Sequence, residues 1–153
     1  MLAPRVKSFL DEHHIKYSTL FHVAAYTAQE TAQAAHIPGK NLAKTILFKK
    51  DGALAMAVLP ADSKINFEQL RQAAHAKAIE LAKEREFKDL FPECEVGAMP
   101  PFGNLYQMEV YVDKSLTSDE EIAFNAGSHT ELLRLTFKDF STLVHPKIAP
   151  FAM

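Results

Sequence analysis

The hydrophobic residues of this chain fall in short runs, several of which alternate with polar positions as in β-strands that bury one face. The clearest pair comprises residues 42–49 and 54–59, which flank Asp51-Gly52, a typical two-residue hairpin turn. The other predicted strands are residues 17–21, 76–81, 108–112, 122–124 and 132–135. The pattern therefore predicts six or seven short strands.

Helical spacing of apolar residues predicts helices between these strands. Three residue pairs suit the N-terminal cap of a helix: Thr27 with Glu30, Asn66 with Gln69, and Thr136 with Asp139. The predicted helices are residues 4–13, 28–35, 66–74, 83–91 and the segment after Thr136 that carries Phe140 and Leu143. Inward-facing positions are expected at Phe67, Leu70, Phe87, Leu90 and Phe91. The mixture predicts an α+β (mixed α/β) fold in a single domain, residues 1–153, around a partly antiparallel sheet.

Composition narrows the functional classes. The 153 residues carry a net charge of −2, so a wide DNA footprint is not expected, and any nucleic-acid contact should be local. Cys94 is the single cysteine, which excludes an internal disulfide and agrees with a cytoplasmic location. No apolar run is long enough to span a membrane, and the first residues lack the apolar core of a signal peptide.

A rigid, irregular loop is predicted just after Cys94. Two consecutive prolines fix φ and offer no N–H, and a glycine lies on each side of them. The residues concerned are Gly97, Ala98, Met99, Pro100, Pro101, Phe102 and Gly103. Such a loop suits the wall of a binding pocket, although a stiff connector between strands explains the same residues.

Lys44 lies inside the first strand of the predicted hairpin, beside Thr45. A lysine there needs a partner or a water-filled cleft, so it is a candidate cation at the floor of a pocket. An outward-facing lysine on a half-exposed sheet is the simpler interpretation.

A run of small residues follows the strand at 122–124 and ends in a histidine: Asn125, Ala126, Gly127, Ser128 and His129. His129 could orient a water or a carbonyl, although a surface histidine in a turn is equally consistent. His22 is a further candidate for the same cleft, and the remaining histidines are assigned to the surface or to packing. The chain has no nucleophile elbow, phosphate loop or metal-ligand spacing, and nothing near Cys94 predicts a reactive thiol.

Together, residues 44–47, the loop from Gly97 to Gly103 and the turn from Asn125 to His129 resemble the YbaK/ProX family in order and spacing. These are aminoacyl-tRNA deacylases related to the editing insertion of prolyl-tRNA synthetase. The resemblance implies a twisted, mostly antiparallel sheet and hydrolysis in trans of the ester on a mischarged tRNA, without metal or cofactor. It also implies that Lys44 is essential for activity. The presence of a histidine in the turn, at position 129, is similar to the proline-insertion and alanine-specific branches of the family.

The resulting hypothesis assigns catalytic roles to Lys44, Gly127 and His129. Lys44 anchors the phosphate or ribose, the main chain of Gly127 and of residues 101–103 holds the carbonyl, and His129 orients the amino acid or water. Pocket walls are expected at Ala98, Met99, Phe102 and Ala126, with alanine, serine or threonine on tRNA-Pro as the substrate. The expected partners are the acceptor end of aminoacyl-tRNA and prolyl-tRNA synthetase.

Three alternatives remain open at this stage. The protein could deacylate Cys-tRNA-Pro, it could bind tRNA or a synthetase without catalysis, or it could be a regulatory binder of free nucleotides or amino acids.

Overall fold

The computed structural model describes residues 2–153, and within them it contains five α-helices and eight β-strands. The helices are α1 (Pro4–Glu12), α2 (Ala28–Ala34), α3 (Phe67–Ala73), α4 (Glu84–Phe87) and α5 (Phe137–Val144). The strands are β1 (Ser18–Phe21), β2 (Ala43–Lys50), β3 (Ala53–Pro60), β4 (Ile79–Leu81), β5 (Glu109–Asp113), β6 (Glu121–Ser128), β7 (Glu131–Thr136) and β8 (Lys147–Ala149). Short 3-10 helices span Lys88–Leu90, Gly103–Tyr106 and Lys114–Ser118. The predicted α+β fold is confirmed.

The strands form two sheets rather than the one that was expected. A three-stranded antiparallel sheet has the order β1-β7-β6, and a five-stranded mixed sheet has the order β4-β2-β3-β5-β8. In the larger sheet β4, β2 and β3 are antiparallel, whereas β5 and β8 run parallel to β3. A single parallel bridge from Leu42 to Ala123 places β2 beside β6 and so joins the sheets.

The two faces of the larger sheet bury different clusters, because successive side chains on a strand point to opposite sides. Leu47 belongs to the cluster between the sheets, together with Phe102 and Phe124. We call this side the inner face. Its neighbour Phe48 packs instead with Tyr111, near α3 and the C-terminal segment, on what we call the outer face.

The outer surface of the join between the sheets is covered by α2. Leu42 and Ala123 pack there with Ala32 of that helix and with Leu132 of β7. The N-terminus of α2 is fixed by its cap, because the Thr27 hydroxyl accepts the Glu30 N–H at 3.1 Å.

The other two predicted N-caps are also present. The Asn66 side chain accepts the Gln69 N–H, and the Thr136 hydroxyl accepts the Asp139 N–H. The turn between β2 and β3 has positive φ at both Asp51 and Gly52, as a type I′ hairpin requires.

Two of the side chains that were predicted to face inward are exposed instead. Phe67 is 45% exposed at the first position of α3, so Leu70 is the buried residue of that helix. The helix expected at 83–91 ends at Phe87 and continues as a 3-10 helix. Because its residues advance by a larger angle per step, Leu90 turns outward while Phe91 is buried.

The C-terminal segment is extended and partly forms a strand. Strand β8 pairs with β5, and the Phe151 side chain is buried on the outer face. The Asp113 carboxylate accepts the N–H groups of Phe151 and Ala152, each at 2.9 Å. No helix within residues 2–153 is both long and apolar enough to cross a lipid bilayer.

Candidate functional site

The glycine- and proline-containing loop meets the β6–β7 hairpin. The Glu95 N–H donates to the Gly127 carbonyl at 2.8 Å, and the His129 ring lies with Nε2 at 2.8 Å from the Val96 carbonyl oxygen. Two segments that are about 30 residues apart in the chain are thus joined by direct hydrogen bonds. The loop and the turn that carry these predicted site residues are therefore neighbours in the structure.

The His129 ring is almost enclosed by these neighbours. Tyr26 packs against it with ring centroids 4.9 Å apart, and the Glu95 carboxylate lies 3.9 Å from Nε2. Gly97 lies so close that a Cβ added there would be 3.5 Å from His129 Cε1. We refer to Tyr26, Glu95, Val96, Gly97 and His129 as the His129 cluster.

The hydrogen bond to Val96 assigns the proton of the neutral His129 ring. A carbonyl oxygen can only accept, so His129 Nε2 must donate. In the neutral ring the other nitrogen, Nδ1, then carries the lone pair. It can accept a hydrogen bond from a water, a ribose hydroxyl or an ammonium group.

Gly97 provides a main-chain donor next to this ring. Its φ of +87° is a conformation that glycine adopts readily and other residues rarely do. The residue is exposed, and among residues 2–153 its N–H has no protein acceptor. An exposed N–H beside a histidine is the type of group that stabilises a developing oxyanion.

The predicted pocket walls belong to the core instead. Met99, Phe102 and Ala126 all lie in the cluster between the sheets, and Phe102 contacts Phe124 at 5.7 Å and Phe140 at 5.8 Å between ring centroids. Ala98 has no exposed surface. The apolar residues of the loop therefore anchor it, and this correction removes them as selectivity determinants.

The main chain of residues 101–103 is equally unsuited to hold a carbonyl. Pro100 and Pro101 lack an N–H, and the Phe102 N–H donates to the Pro100 carbonyl at 2.9 Å. Gly103 is buried where a Cβ would lie 2.7 Å from the Val110 side chain. These residues explain how the loop packs, and Gly97 is the better donor.

Gly127 is a packing position as well. It is buried with φ +117°, and an added Cβ would lie 3.2 Å from the Ala3 Cβ. Its carbonyl is already used by Glu95, and Ser128 Oγ lies 3.3 Å from Thr130 Oγ1. The structure therefore gives Gly127 a role in joining the hairpin to the loop, and Ser128 a role within the hairpin turn.

Lys44 is not on the same side of its sheet as the loop. It lies opposite Leu59, which packs on the outer face, whereas Thr45 lies opposite Val58 on the inner face. The Lys44 ammonium donates to the Ala61 carbonyl over a long 3.4 Å. The predicted single cleft with Lys44 beside Pro101 is therefore wrong, because strand alternation directs the lysine outward.

Lys44 does share a face with another predicted site residue. The bridge between Leu42 and Ala123 runs parallel, and Lys44 and Asn125 each lie two residues further along their strands. Both side chains therefore project from the same face as that bridge. The Asn125 Oδ1 and the His22 Nε2 are buried atoms without a hydrogen-bond donor in the part of the chain that the structure describes.

The environment of Lys44 is only partly favourable to its charge. Burial lowers its pKa, the Asp62 carboxylate opposes that effect, and Lys64 adds to it. Burial is the largest of these effects, so Asp62 compensates the ammonium only in part. The site can therefore accept an anion.

Sequence reasoning missed three members of the His129 cluster: Tyr26, Glu95 and Val96. Tyr26 is 72% exposed yet stacks on the histidine, and it lies between β1 and the cap of α2. Glu95 precedes the loop, and its carboxylate accepts the His129 N–H at 3.4 Å. The available signal for Tyr26 was its place directly before the predicted N-cap Thr27, and for Glu95 and Val96 it was their place directly before the predicted loop.

No group of three or more metal-ligating side chains occurs within residues 2–153. Cys94 is also unsuited to nucleophilic catalysis. Burial, with a further contribution from Glu93, raises the pKa of its thiol to about 11.

A family model described as the aminoacyl-tRNA editing domain matches residues 22–143 of this chain. This match covers most of the fold and includes the His129 cluster and Lys44.

Individual relatives are similar over different shares of their length. The chain is 27% identical to the uncharacterized protein YwhH of Bacillus subtilis, over 85% of this chain and 82% of that protein. It is 32% identical to the proline--tRNA ligase of Leuconostoc citreum, over 69% of this chain but only 18% of the ligase. A solved structure of a candidate trans-editing enzyme for prolyl tRNA synthetase superimposes with a TM-score of 0.83 at 21% identity, covering 99% of this chain and 96% of that one.

Proposed function

Because the chain belongs to the aminoacyl-tRNA editing domain family, we propose that it hydrolyses the ester of a mischarged tRNA in trans. The preferred substrate is tRNA-Pro carrying a small amino acid such as alanine, serine or threonine. The similarity to part of a proline--tRNA ligase supports the choice of tRNA. The observation that carries the proposal is the contact between His129 and the Val96-Gly97 segment inside the region that the family model matches.

The chemistry requires no strong nucleophile, because an aminoacyl ester is already activated. His129 Nδ1 accepts a hydrogen bond from the attacking water or from the free ribose hydroxyl, and the Gly97 N–H stabilises the developing oxyanion. The Glu95 carboxylate, which is half exposed, can bind the ammonium of the amino acid. These roles involve three groups that the structure brings together.

Access to His129 favours a small amino acid. The residue is only 7% exposed, with Tyr26 on one side and Gly97 on the other. A bulky side chain would have to displace the tyrosine. Since one methylene changes binding by only about 1–3 kcal/mol, rejection by size is the effective basis for selectivity.

Lys44 is assigned to a different part of the substrate. It lies on the outer face beside Asn125, and β6 leads from Asn125 directly into the turn that carries His129. We therefore assign the phosphate or ribose to Lys44 and Asn125, and the ester to the His129 cluster.

The test is deacylation of tRNA-Pro charged with alanine, serine, threonine, cysteine or proline. The wild type is compared with His129→Ala and Lys44→Ala, and with His14→Asn as the control. His14 is an exposed histidine with φ +55°, a conformation that asparagine also adopts. We expect His129→Ala to slow hydrolysis at least about 100-fold, Lys44→Ala to raise KM, and the control to match the wild type.

Each result has a defined meaning. Fastest hydrolysis of the cysteine ester would replace the proposed substrate, and fastest hydrolysis of the proline ester would contradict selection by size. A normal KM with Lys44→Ala would remove Lys44 from the site. Absence of hydrolysis with every ester would favour a binding module without catalysis.

A further inference from the structure

Strand β1 has an open edge, because the order β1-β7-β6 places it at one end of the three-stranded sheet. The His22 N–H, just after β1, donates to the Thr130 carbonyl at 2.9 Å. Main-chain groups alternate in direction along an antiparallel strand, so those of Leu20 also point to β7, whereas those of Thr19 and Phe21 point away from it. Within residues 2–153 no hydrogen bond outside the sheet uses the main chain of Thr19 or Phe21.

The two edges of the larger sheet are less suited to a further strand. Strands β4 and β8 lie at these edges, and each is only three residues long. They contain Glu80 and Lys147, and a charged side chain on an edge strand hinders pairing with another chain. Residues 17–21 contain no charged side chain and include the strand-favouring types Tyr, Thr and Phe. The edge of β1 therefore lacks the usual protection.

A groove of about 560 Å³ lies along this edge. Its lining comes from alternate residues at β1, which are Tyr17, Thr19 and Phe21, and from the start of the chain and α1, including Leu2 and Pro4. We call it the β1 groove. Phe21 is 70% exposed, although an aromatic ring beside an open sheet edge is typical of a surface that another chain covers.

The charged residues of the β1 groove do not call for a charged occupant. Lys7 lines the groove and already pairs with Asp11, whose carboxylate is 2.6 Å from the ammonium. Glu131 also lines it, but this residue is only 4% exposed. An uncharged, apolar strand is therefore complementary to the groove and to the open edge beside it.

Strand β1 of a second copy has these properties. Antiparallel pairing about a two-fold axis at Thr19 would place Thr19 opposite itself, and Tyr17 opposite Phe21 of the second copy. These are the residues whose main-chain groups point outward, so each pair would form hydrogen bonds. Their side chains lie on the groove side, where threonine pairs and aromatic pairs across strands are favourable. No like charges would face each other, because Lys16 would lie opposite His22.

The size of this contact sets its strength. Complete burial of an aromatic side chain covers about 150–250 Å², so four rings and two paired strands would bury on the order of 1,000 Å² in total. That area is at the lower end for specific interfaces, where association is weak and reversible. The dissociation constant should therefore be on the order of 100 µM.

We infer that two copies of this chain associate through β1, pairing antiparallel about Thr19 to form one continuous sheet of six strands. The aromatic pair of Tyr17 and Phe21 closes the β1 groove of each copy. This inference does not depend on the proposed function, and its tests use no tRNA.

The first test is sedimentation equilibrium of the whole chain over a concentration range that brackets the expected dissociation constant. Thr19→Lys and Thr19→Glu are measured separately and as an equimolar mixture. Thr19 is exposed, so both substitutions leave the core intact. Thr142→Lys, which changes an exposed threonine of α5, is the control.

The two-fold axis gives these variants a specific signature. Each variant alone would place two like charges opposite each other, which should raise the dissociation constant at least about tenfold. The mixture places lysine opposite glutamate, so association should return. The control should associate as the wild type does. A wild type that stays monomeric at about five times the expected dissociation constant, or a mixture that stays as dissociated as its components, would overturn the inference.

A second measurement locates the contact. Amide hydrogen exchange is followed by NMR at about 20 µM and about 400 µM, and the Thr19 and Phe21 N–H groups should exchange about two- to threefold more slowly at the higher concentration. The Leu20 N–H, which already points to β7, should change little. Concentration-dependent protection at β4 or β8 instead would place the contact at another edge and overturn the inference.

Discussion

Gly97 and Gly52 adopt the same φ of +87°, and both residues are exposed. Their surroundings differ. A Cβ on Gly52 would meet nothing within 4 Å, whereas a Cβ on Gly97 would contact His129. Substitutions at these two glycines therefore separate the loss of stability caused by a strained backbone from any effect on the His129 cluster.

The first prediction compares Gly97→Ala with Gly52→Ala. Each should destabilise the fold by about 1–3 kcal/mol, because alanine is strained at this φ. Only Gly97→Ala should also reduce deacylation, since the strain moves the proposed oxyanion donor and the neighbouring ring. Thermal unfolding and single-turnover hydrolysis measure the two effects. Equal activity in both variants would show that Gly97 has no part in the reaction.

Burial decides the reactivity of the Cys94 thiol. Desolvation and, to a smaller extent, Glu93 raise the pKa of the thiol to about 11, and Arg5 only partly opposes this. The thiolate, which is the reactive form, is therefore scarce near neutral pH.

The second prediction is that Cys94→Ser deacylates at the wild-type rate. Iodoacetamide should label Cys94 at pH 8 about 100-fold more slowly than a free cysteine, whose pKa is about 8.5. The rate of labelling can be followed by mass spectrometry of the intact protein. Fast labelling, or loss of activity in the serine variant, would support a covalent mechanism in which the Cys94 thiol attacks the ester.

Helix α2 connects its cap to the His129 cluster. The helix has only seven residues, so its stability depends strongly on Thr27, whose hydroxyl accepts the Glu30 N–H. Tyr26, which stacks on His129, immediately precedes that cap. Helix α5 has an equivalent threonine cap at Thr136, but it has no residue in the cluster.

The third prediction uses the two caps as a matched pair. Thr27→Ala and Thr136→Ala should each cost about 1 kcal/mol of stability, because each leaves one main-chain donor without its acceptor. Thr27→Ala should in addition reduce deacylation by loosening Tyr26, and Thr27→Ser should restore it. Urea unfolding and initial rates provide the comparison. Equal rates for the two alanine variants would mean that α2 does not position the tyrosine.

At the scale of the whole molecule, one ionic network connects three strands of the larger sheet. Glu109 of β5 accepts a hydrogen bond from Tyr111, and it pairs with Lys50 of β2 at 3.2 Å and Lys147 of β8 at 3.1 Å. The bond from Tyr111, followed by those from Lys147 and Lys50, lowers the pKa of Glu109 to about 2. The network thereby ties β8 to the centre of the sheet.

The fourth prediction follows from that lowered pKa. A carboxylate whose pKa is lower in the folded than in the unfolded state stabilises the fold above its unfolded pKa. That contribution is present above the ordinary value of 4.5 and is lost as the pH falls from there through about 2.

Urea unfolding between pH 7 and pH 2.5 provides the measurement. Glu109→Gln should lose less stability on acidification than the wild type does. Glu12→Gln, which changes an exposed carboxylate of α1, should behave as the wild type. Identical pH profiles for all three proteins would mean that the network does not contribute.

Much of the fold could be predicted from local signals. The hairpin of β2 and β3 follows from alternation and from Asp51-Gly52, and three helices begin at the predicted caps. The outward position of Phe67 could not be predicted, because helical spacing gives a face but not which end of that face is covered. That of Leu90 could not be predicted because the spacing does not show where the α-helix changes to a 3-10 helix.

The sequence by itself determined the hairpin of β2 and β3, the starts of three helices and the family resemblance, because these depend on residues that are neighbours along the chain. Only the tertiary structure decided that Lys44 points outward while Met99 and Phe102 point into the core. The reason is that side chains alternate strictly along a strand, but which side becomes the interior depends on how distant sheets and helices pack.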